Sequence, residues 1–365
     1  MTIHDTDLAS TGLRVDGPTR GAPLDAPTLG AFDRLAKGDP APGWLRDGVV
    51  RAWGHPAGRT DVRLITVSEN ATFLVSVEGR PVSVVRVARP GYMAGIVAFE
   101  SEAAWVRAIS RARVARVPEP LETERGGMVA VVEDEHGVGW SCVSSAFVAG
   151  EVLEDVADPV PHYRAIGRTT ALLHDHAQAW KPPSWFRRHS WDVADMVGSH
   201  PRWGRWQDAA LDDAGRQLLE AAEAAALGAL AVVPRTSSDW GLIHADLRPS
   251  NIMIDGADLT VIDFDDAGFG WFMYDFASAL TFMEHLPQAP TMAQEWVAGY
   301  AEVRPLSRDD AVMGCALSMI RRLQMLGWTT THREDALPPA LWVAQVSGTV
   351  EVARHYLASA TWLVD

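Results

Sequence analysis

The stretch from Gly241 to Asp266 constrains this chain more than any other. A polar loop, His244-Ala245-Asp246-Leu247-Arg248-Pro249-Ser250-Asn251, leads into the apolar run Ile252-Met253-Ile254. A tight turn at Asp255-Gly256 follows, then a second run, Leu259-Thr260-Val261-Ile262, that ends in Asp263-Phe264-Asp265-Asp266. Asp-Gly between two apolar runs is a hairpin signal. Closing that hairpin carries the loop acid Asp246, the loop amide Asn251 and the strand-end acid Asp263 to one end of the ribbon. Carboxylate and amide oxygens are hard ligands and bases, suited to Mg²⁺ and to a hydroxyl that must lose its proton. Asn70 and Asn251 are the only asparagines in the chain, so one of them at this offset is informative.

The spacing His244-x-Asp246, then Asn251 five residues on, then an acid after a hairpin, resembles the protein-kinase catalytic loop and its metal-binding Asp. Ile262-Asp263-Phe264-Asp265 stands in place of the Asp-Phe-Gly triplet, and Tyr274-Asp275-Phe276-Ala277 comes shortly after. These are similar to the aminoglycoside phosphotransferase and choline kinase branch, which also contains homoserine kinases and a bacterial stress-response kinase. The resemblance implies an α+β, two-lobed protein-kinase-like fold: an N-lobe with a five-stranded antiparallel sheet plus a helix, and a mainly helical C-lobe. It implies ATP as phosphate donor, with GTP left open, and a small-molecule hydroxyl as acceptor. Asp246 then becomes the catalytic base, and Asn251 and Asp263 the Mg²⁺ ligands, with Asp265 as a further ligand or water-holder. His244 supports the loop and Asp275 braces its backbone. Arg248 lies either near the γ-phosphate or as an exposed charge.

At 365 residues and 47% hydrophobic, the chain can bury a core large enough for two lobes. No apolar run approaches the roughly 18 residues of a membrane span, and the start lacks a charged segment followed by an apolar one. The expectation is a cytoplasmic, soluble protein with no membrane partner. Cys142 and Cys315 lie far apart without metal-ligand spacing and read as small buried apolar residues. A net charge of −15 argues against a nucleic-acid partner and permits a cationic substrate drawn to an acidic cleft.

In chain order, residues 1–26 read as a loose arm, 27–147 as the N-lobe and 148–365 as the C-lobe. Helical patterns near Leu29–Leu35 and Gly43–Trp53 precede β runs at Val62–Ser68, Thr72–Val77 and Pro81–Ala88. The turn Ser68-Glu69-Asn70-Ala71-Thr72 sits where kinases carry a glycine-rich phosphate loop, yet it has no glycine. Ser68, Asn70 or Thr72 and backbone N–H groups can still hold a phosphate. Asn70 fits an ordinary turn at positive φ equally well. Lys37 and Lys181 are the only lysines among 32 basic residues, and neither lies on the third strand. Arg86 on that strand is therefore the candidate phosphate cation, with a reach and fork unlike those of lysine.

A helix over Ala94–Ile109 offers Glu102 as the partner that orients Arg86, while Glu100 points to another face and reads as solvated. Two more strands, Met128–Glu133 and Trp140–Phe147, complete the sheet. By resemblance, Ser145 and Phe147 then mark the adenine-binding hinge. Helical patterns cover about 162–179, 184–198, 207–231, 272–286, 290–303, 307–327 and 338–361. His174 and His176 do not share a helix face, so a packing role is favoured over metal ligation. The tryptophans of 180–206 read chiefly as packing, with one or two rings near the acceptor.

Three functional readings follow. The first is an ATP-dependent kinase acting on a hydroxyl of an aminoglycoside, amino alcohol or related metabolite. The second is a protein Ser/Thr kinase of the stress-response type, disfavoured by the short Asp266–Met273 segment that leads at once into a helix. The third is a non-catalytic nucleotide-binding protein, disfavoured by the complete Asp246, Asn251 and Asp263 set.

Overall fold

Runs rich in Val and Thr pair as an antiparallel meander in the computed structural model: β1 (Thr60–Val67), β2 (Asn70–Val77) and β3 (Arg80–Ala88). The structure describes residues 32, 34–90, 95–332 and 337–365, so the expected arm 1–26 and most of the Leu29–Leu35 pattern lie outside the described residues. Alternation along the pleat sends Val62, Leu64, Phe73, Val75, Val85 and Val87 inward. β4 (Val129–Glu133) and β5 (Gly139–Ala146) complete a five-stranded antiparallel sheet in the order β1-β2-β3-β5-β4. Phe32 fills its inner face, edge-on to Phe73 and Trp140 at 5.4 and 5.2 Å.

Two helices flank this sheet, α1 (Gly43–Ala52) and α2 (Ile96–Ala112). Although α2 lies between β3 and β4 in the chain, its Trp105, Val106 and Ile109 belong to the core of the helical half. Trp105 meets Phe264 edge-on at 5.5 Å. That contact ties the helix carrying Glu102 to the segment carrying Asp263.

The rest of the chain is mainly helical: α3 (Tyr163–Ala179), α4 (Val193–Val197), α5 (Asp213–Ala231), α6 (Met273–Ala279), α7 (Ala289–Ala301), α8 (Arg308–Thr329) and α9 (Pro339–Ala358). Short strands interrupt it: β6 (Glu151–Val152), β7 (Trp240–Ile243), β8 (Ile252–Asp255), β9 (Asp258–Val261) and β10 (Gly268–Trp271). β6, β8 and β9 form one antiparallel sheet, and β7 pairs with β10 in a separate ribbon. A capping box of Ser307 and Asp310 starts α8, which is buried on every side from Met313 to Trp328.

Three expected helices come out differently; the one over 207–231 begins only at Asp213. Of 184–198 only Val193–Val197 is helical, because the preceding residues bond to neighbours as extended chain. The Trp191 N–H donates to Phe269 O at 2.7 Å, the Phe269 N–H donates to His189 O at 2.9 Å, and the Arg187 N–H is taken by Ser101 Oγ at 2.8 Å. The helix expected over 272–286 ends at Ala279, short of Phe282 at a φ of 69°.

α3 and α7 touch backbone to backbone. A Cβ on Gly167 would sit 1.9 Å from Trp296 O, and one on Gly299 would sit 1.9 Å from Arg164 O. Gly167→Ala is therefore expected to force these helices apart and destabilise the protein by about 3 kcal/mol, at the severe end of overpacking. Urea unfolding measures this, and an unchanged midpoint would mean the helices do not pack so closely.

Candidate active site

The hairpin of β8 and β9 turns at Asp255-Gly256, where Gly256 takes a φ of 61° that glycine adopts without a Cβ clash. The polar loop His244–Asn251 joins β7 to β8. Its shape is imposed by α6, because the fully buried Asp275 accepts from the His244 N–H at 3.0 Å and the Ala245 N–H at 2.7 Å. Ser278 Oγ accepts from the Leu247 N–H at 2.9 Å. Ala245, just before the candidate base, sits at a φ of 69°, a strained state for a residue with a Cβ.

His244 takes one tautomer. Its Nε2–H donates to Ile262 O at 3.0 Å, and its Nδ1 accepts from the Asp246 N–H at 3.2 Å. His174, fully buried, bonds to Asp275 through Nε2 at 3.0 Å and to the Tyr300 hydroxyl through Nδ1 at 2.9 Å. Burial lowers its pKa, so the ring is neutral and serves as a brace behind Asp275.

Asp246 is held on both oxygens. Oδ1 accepts from Arg321 at 2.5 Å, while Oδ2 accepts from Asn251 Nδ2 at 2.8 Å and from Arg248 Nε at 3.2 Å. Burial acts to raise the pKa of this carboxyl, but Arg248 and Arg321 outweigh it and hold the group below its usual range. Asn251 also donates to Asp246 O at 2.8 Å. With Nδ2 so committed, its Oδ1 meets no protein donor among the described residues and is the end free to ligate.

Across the cleft, the Arg86 guanidinium forks. One arm donates to Glu102 Oε2 at 2.6 Å and the other to Asp263 Oδ1 at 2.9 Å. Asp263 adopts a φ of 61°, turning the chain sharply at the end of β9. Asp265 accepts from Asn70 Nδ2 at 2.9 Å. Asn70 is thus the buried first residue of β2, absent from the positive-φ positions, and its amide is aimed at an acid rather than into a turn. Burial and then the charge of Asp263 push the Asp265 carboxyl well above its normal range. Asp266 is pushed up to about 7, first by burial and then by the charge of Asp246. Asp246, Asp263, Asp265 and Asp266 lie close enough to act on one another, which favours a cation among them.

Other expected site residues lie less simply. Ser68 stays at the β1–β2 turn, its N–H donating to Asn70 O at 2.9 Å. Ser145 is an interior residue of β5 paired with Val84. The Phe147 N–H is given to Val82 O at 3.1 Å and its ring is 39% exposed. Glu100 is not simply solvated, since it accepts from the Met128 N–H at 2.9 Å at the start of β4. Two hollows of about 350 and 410 Å³ lie away from Asp246, one beside Val197 and Leu227, the other beside Trp180 and Phe269.

The sequence profile of the phosphotransferase enzyme family matches residues 61–306, which take in the sheet, Arg86 and the whole acidic loop. The chain belongs to this family. It is similar to a microcompartment-associated aminopropanol kinase of known structure, with 33% identity and a TM-score of 0.78 over 87% of this chain and 98% of that one. A structure of the amicoumacin kinase hAmiN in complex with AMP-PNP, Ca²⁺ and Ami shares the fold at 15% identity and a TM-score of 0.67, over 85% of this chain and 92% of the other. The amicoumacin kinase of Bacillus subtilis (strain 168) is 25% identical over 52% of this chain. This chain spans 54% of that relative's length.

In this phosphotransferase family member, several residues around the loop carry no motif of their own. Arg321, on α8, bonds to Asp246 from a helix 75 positions downstream. Its signal in the sequence is faint: Arg321-Arg322 fall within the long, mostly apolar stretch that follows Asp310, and buried cations must find partners. Arg188 is also buried and donates to the carbonyls of Ala98, Phe264, Asp265 and Ala267, holding the acidic segment against α2. Cys142 and Cys315 are buried thiols pushed up to about 12 by their apolar surroundings, and so are inert. Among the described residues no helix is long and apolar enough to cross a membrane.

Proposed function

We propose that this protein transfers the γ-phosphate of ATP to a hydroxyl of a small molecule, an aminoglycoside, amino alcohol or related metabolite. The observation that carries the reading is the pairing of Asp246 with Asn251 on one ribbon, facing an Arg86 fork that spans Glu102 and Asp263. Asp246 accepts a hydrogen bond from the acceptor hydroxyl and aligns its oxygen with the γ-phosphorus. As the new P–O bond forms and the bond to the leaving ADP oxygen breaks, the hydroxyl proton passes to Asp246. A carboxylate held below its usual pKa is a weak base, which suits a loose transition state where the proton leaves late.

Asp263 and the Asn251 Oδ1, with Asp265 near them, would hold Mg²⁺, which when bound neutralises the triphosphate. The donor set fits: Asp265 is destabilised as an anion by Asp263, and a divalent cation relieves that repulsion. Among the described residues no three His, Cys, Asp or Glu side chains group to hold a metal, so phosphate oxygens and the Asn251 amide would have to complete the shell. The hinge at Ser145 and Phe147, where β5 leaves the sheet, would offer its remaining backbone groups to the adenine edge. Asp266 has no ion-pair partner among the described residues, and with the chain's charge of −15 it favours an acceptor bearing an amine.

The relatives named above are small-molecule kinases, which supports this reading over a protein acceptor or a silent nucleotide binder. The test is ATP and GTP consumption with Mg²⁺ across aminoglycosides, aminopropanol, choline, homoserine and a generic protein substrate. No turnover on any of them, despite nucleotide binding, would sink it. Within that assay, Arg86→Ala is expected to raise the KM for ATP about tenfold or more. Arg86→Lys should fall between that variant and the parent, since an ammonium cannot span Glu102 and Asp263 as a fork. Normal turnover by Arg86→Ala would remove the phosphate contact.

A further inference from the structure

We propose that Arg321 is a positioning residue for the transfer step, setting the plane of the Asp246 carboxylate from within α8. This rests on the kinase reading above. Arg321 is 2% exposed, and every arm of its guanidinium is used. Nε donates to Thr281 Oγ1 at 3.1 Å, one terminal nitrogen to the Tyr274 hydroxyl at 2.9 Å and Ala245 O at 3.2 Å, and the other to Asp246 Oδ1 at 2.5 Å.

Both hydroxyls are themselves oriented. Tyr274 donates to Gln324 Oε1 at 2.7 Å, and Thr281 donates to Ser278 O at 2.7 Å, so each presents a lone pair to Arg321. The guanidinium cannot swing without breaking bonds at three corners. It therefore fixes two things at once, the strained carbonyl of Ala245 and the oxygen of the next residue that faces it. With Oδ2 shared by Asn251 and Arg248, the carboxylate has no free rotation left.

Two other buried arginines among the described residues show what a purely structural role looks like here. Arg188 spends its donors on backbone carbonyls alone. Arg322, the next residue on α8, pairs with Glu284 at 2.8 Å, a carboxylate with no part in the loop. Only Arg321 of the three ends on the acid that the mechanism uses. Near-attack geometry is sensitive to small displacements, about a hundredfold in rate for an ångström. A base free to rotate should therefore lose kcat and spare nucleotide binding.

The test compares Arg321→Met, Arg321→Lys and Tyr274→Phe, alone and combined with Asp246→Asn, in the full chain. Arg321→Met is expected to lower kcat about a hundredfold with the KM for ATP within about twofold, and Arg321→Lys to recover part of that loss. Since Arg321 acts through Asp246, adding Arg321→Met to Asp246→Asn should cost no further rate, a non-additivity that mere loss of folding would not give. If Arg321→Met does not fold, Tyr274→Phe carries the test: it removes one corner of the clamp and should lower kcat several-fold, an effect again absent in the Asp246→Asn background. Wild-type kcat in either variant, or a double variant that falls by the product of the singles, overturns the inference and leaves the kinase reading intact. A wild-type protein that turns over no acceptor overturns both.

Discussion

Asp246→Asn is expected to lower kcat by about a hundredfold or more while leaving the KM for ATP nearly unchanged. The side chain keeps its shape and loses its capacity to take a proton. One oxygen also becomes an NH₂ donor, facing either Arg321 or the Asn251 amide, both of which are donors themselves. A buried arginine left opposite a donor is costly, on the order of 3 kcal/mol when an ion pair is broken from one side. The variant should therefore unfold at lower temperature, and its kinetics belong well below that point. A folded Asp246→Asn protein with the parent's kcat would show that the base lies elsewhere.

Asp263→Ala should abolish Mg²⁺-dependent nucleotide binding and with it all turnover. Asp263 stands where the fork of Arg86 meets the proposed metal ligands, so its loss would remove a carboxylate from that metal and take an anchor from the cation. It also takes a φ of 61°, where alanine costs about 1–2 kcal/mol and asparagine costs little. Asp263→Asn separates the effects: it keeps the backbone preference, loses the charge, and should fail in catalysis while melting close to the parent. Calorimetry of ATP binding with and without Mg²⁺ measures the difference. Metal-dependent binding by both variants would reassign the site to Asp265 and Asn251.

Much of this molecule is legible in its sequence. The loop and hairpin from His244 to Asp266 announced themselves because three constraints coincide in one local stretch: a turn dipeptide, two apolar strands and oxygen-bearing side chains at fixed offsets. The order of strands around Arg86 and Glu102 was legible for the same reason, since hairpin connections and period-two alternation are local properties. Segment 184–198 was misread because its helical pattern was overruled by partners distant in sequence, Ser101 and Phe269. Glu100 was misread as solvated because the Met128 N–H it meets lies on another strand.

Which side chains are candidates for chemistry is legible in the chain alone, because those of this loop are spaced along one short ribbon whose geometry is fixed by neighbouring residues. Only the tertiary structure decided how those side chains are held. Arg321 comes from α8, Ser278 from α6 and Asn70 from β2, none of them marked by the loop's own pattern, whereas the brace Asp275 is marked by its Tyr-Asp-Phe-Ala setting. Burial makes their placement obligatory, since a charge removed from water must find a partner, but which partner is found depends on how the helices pack.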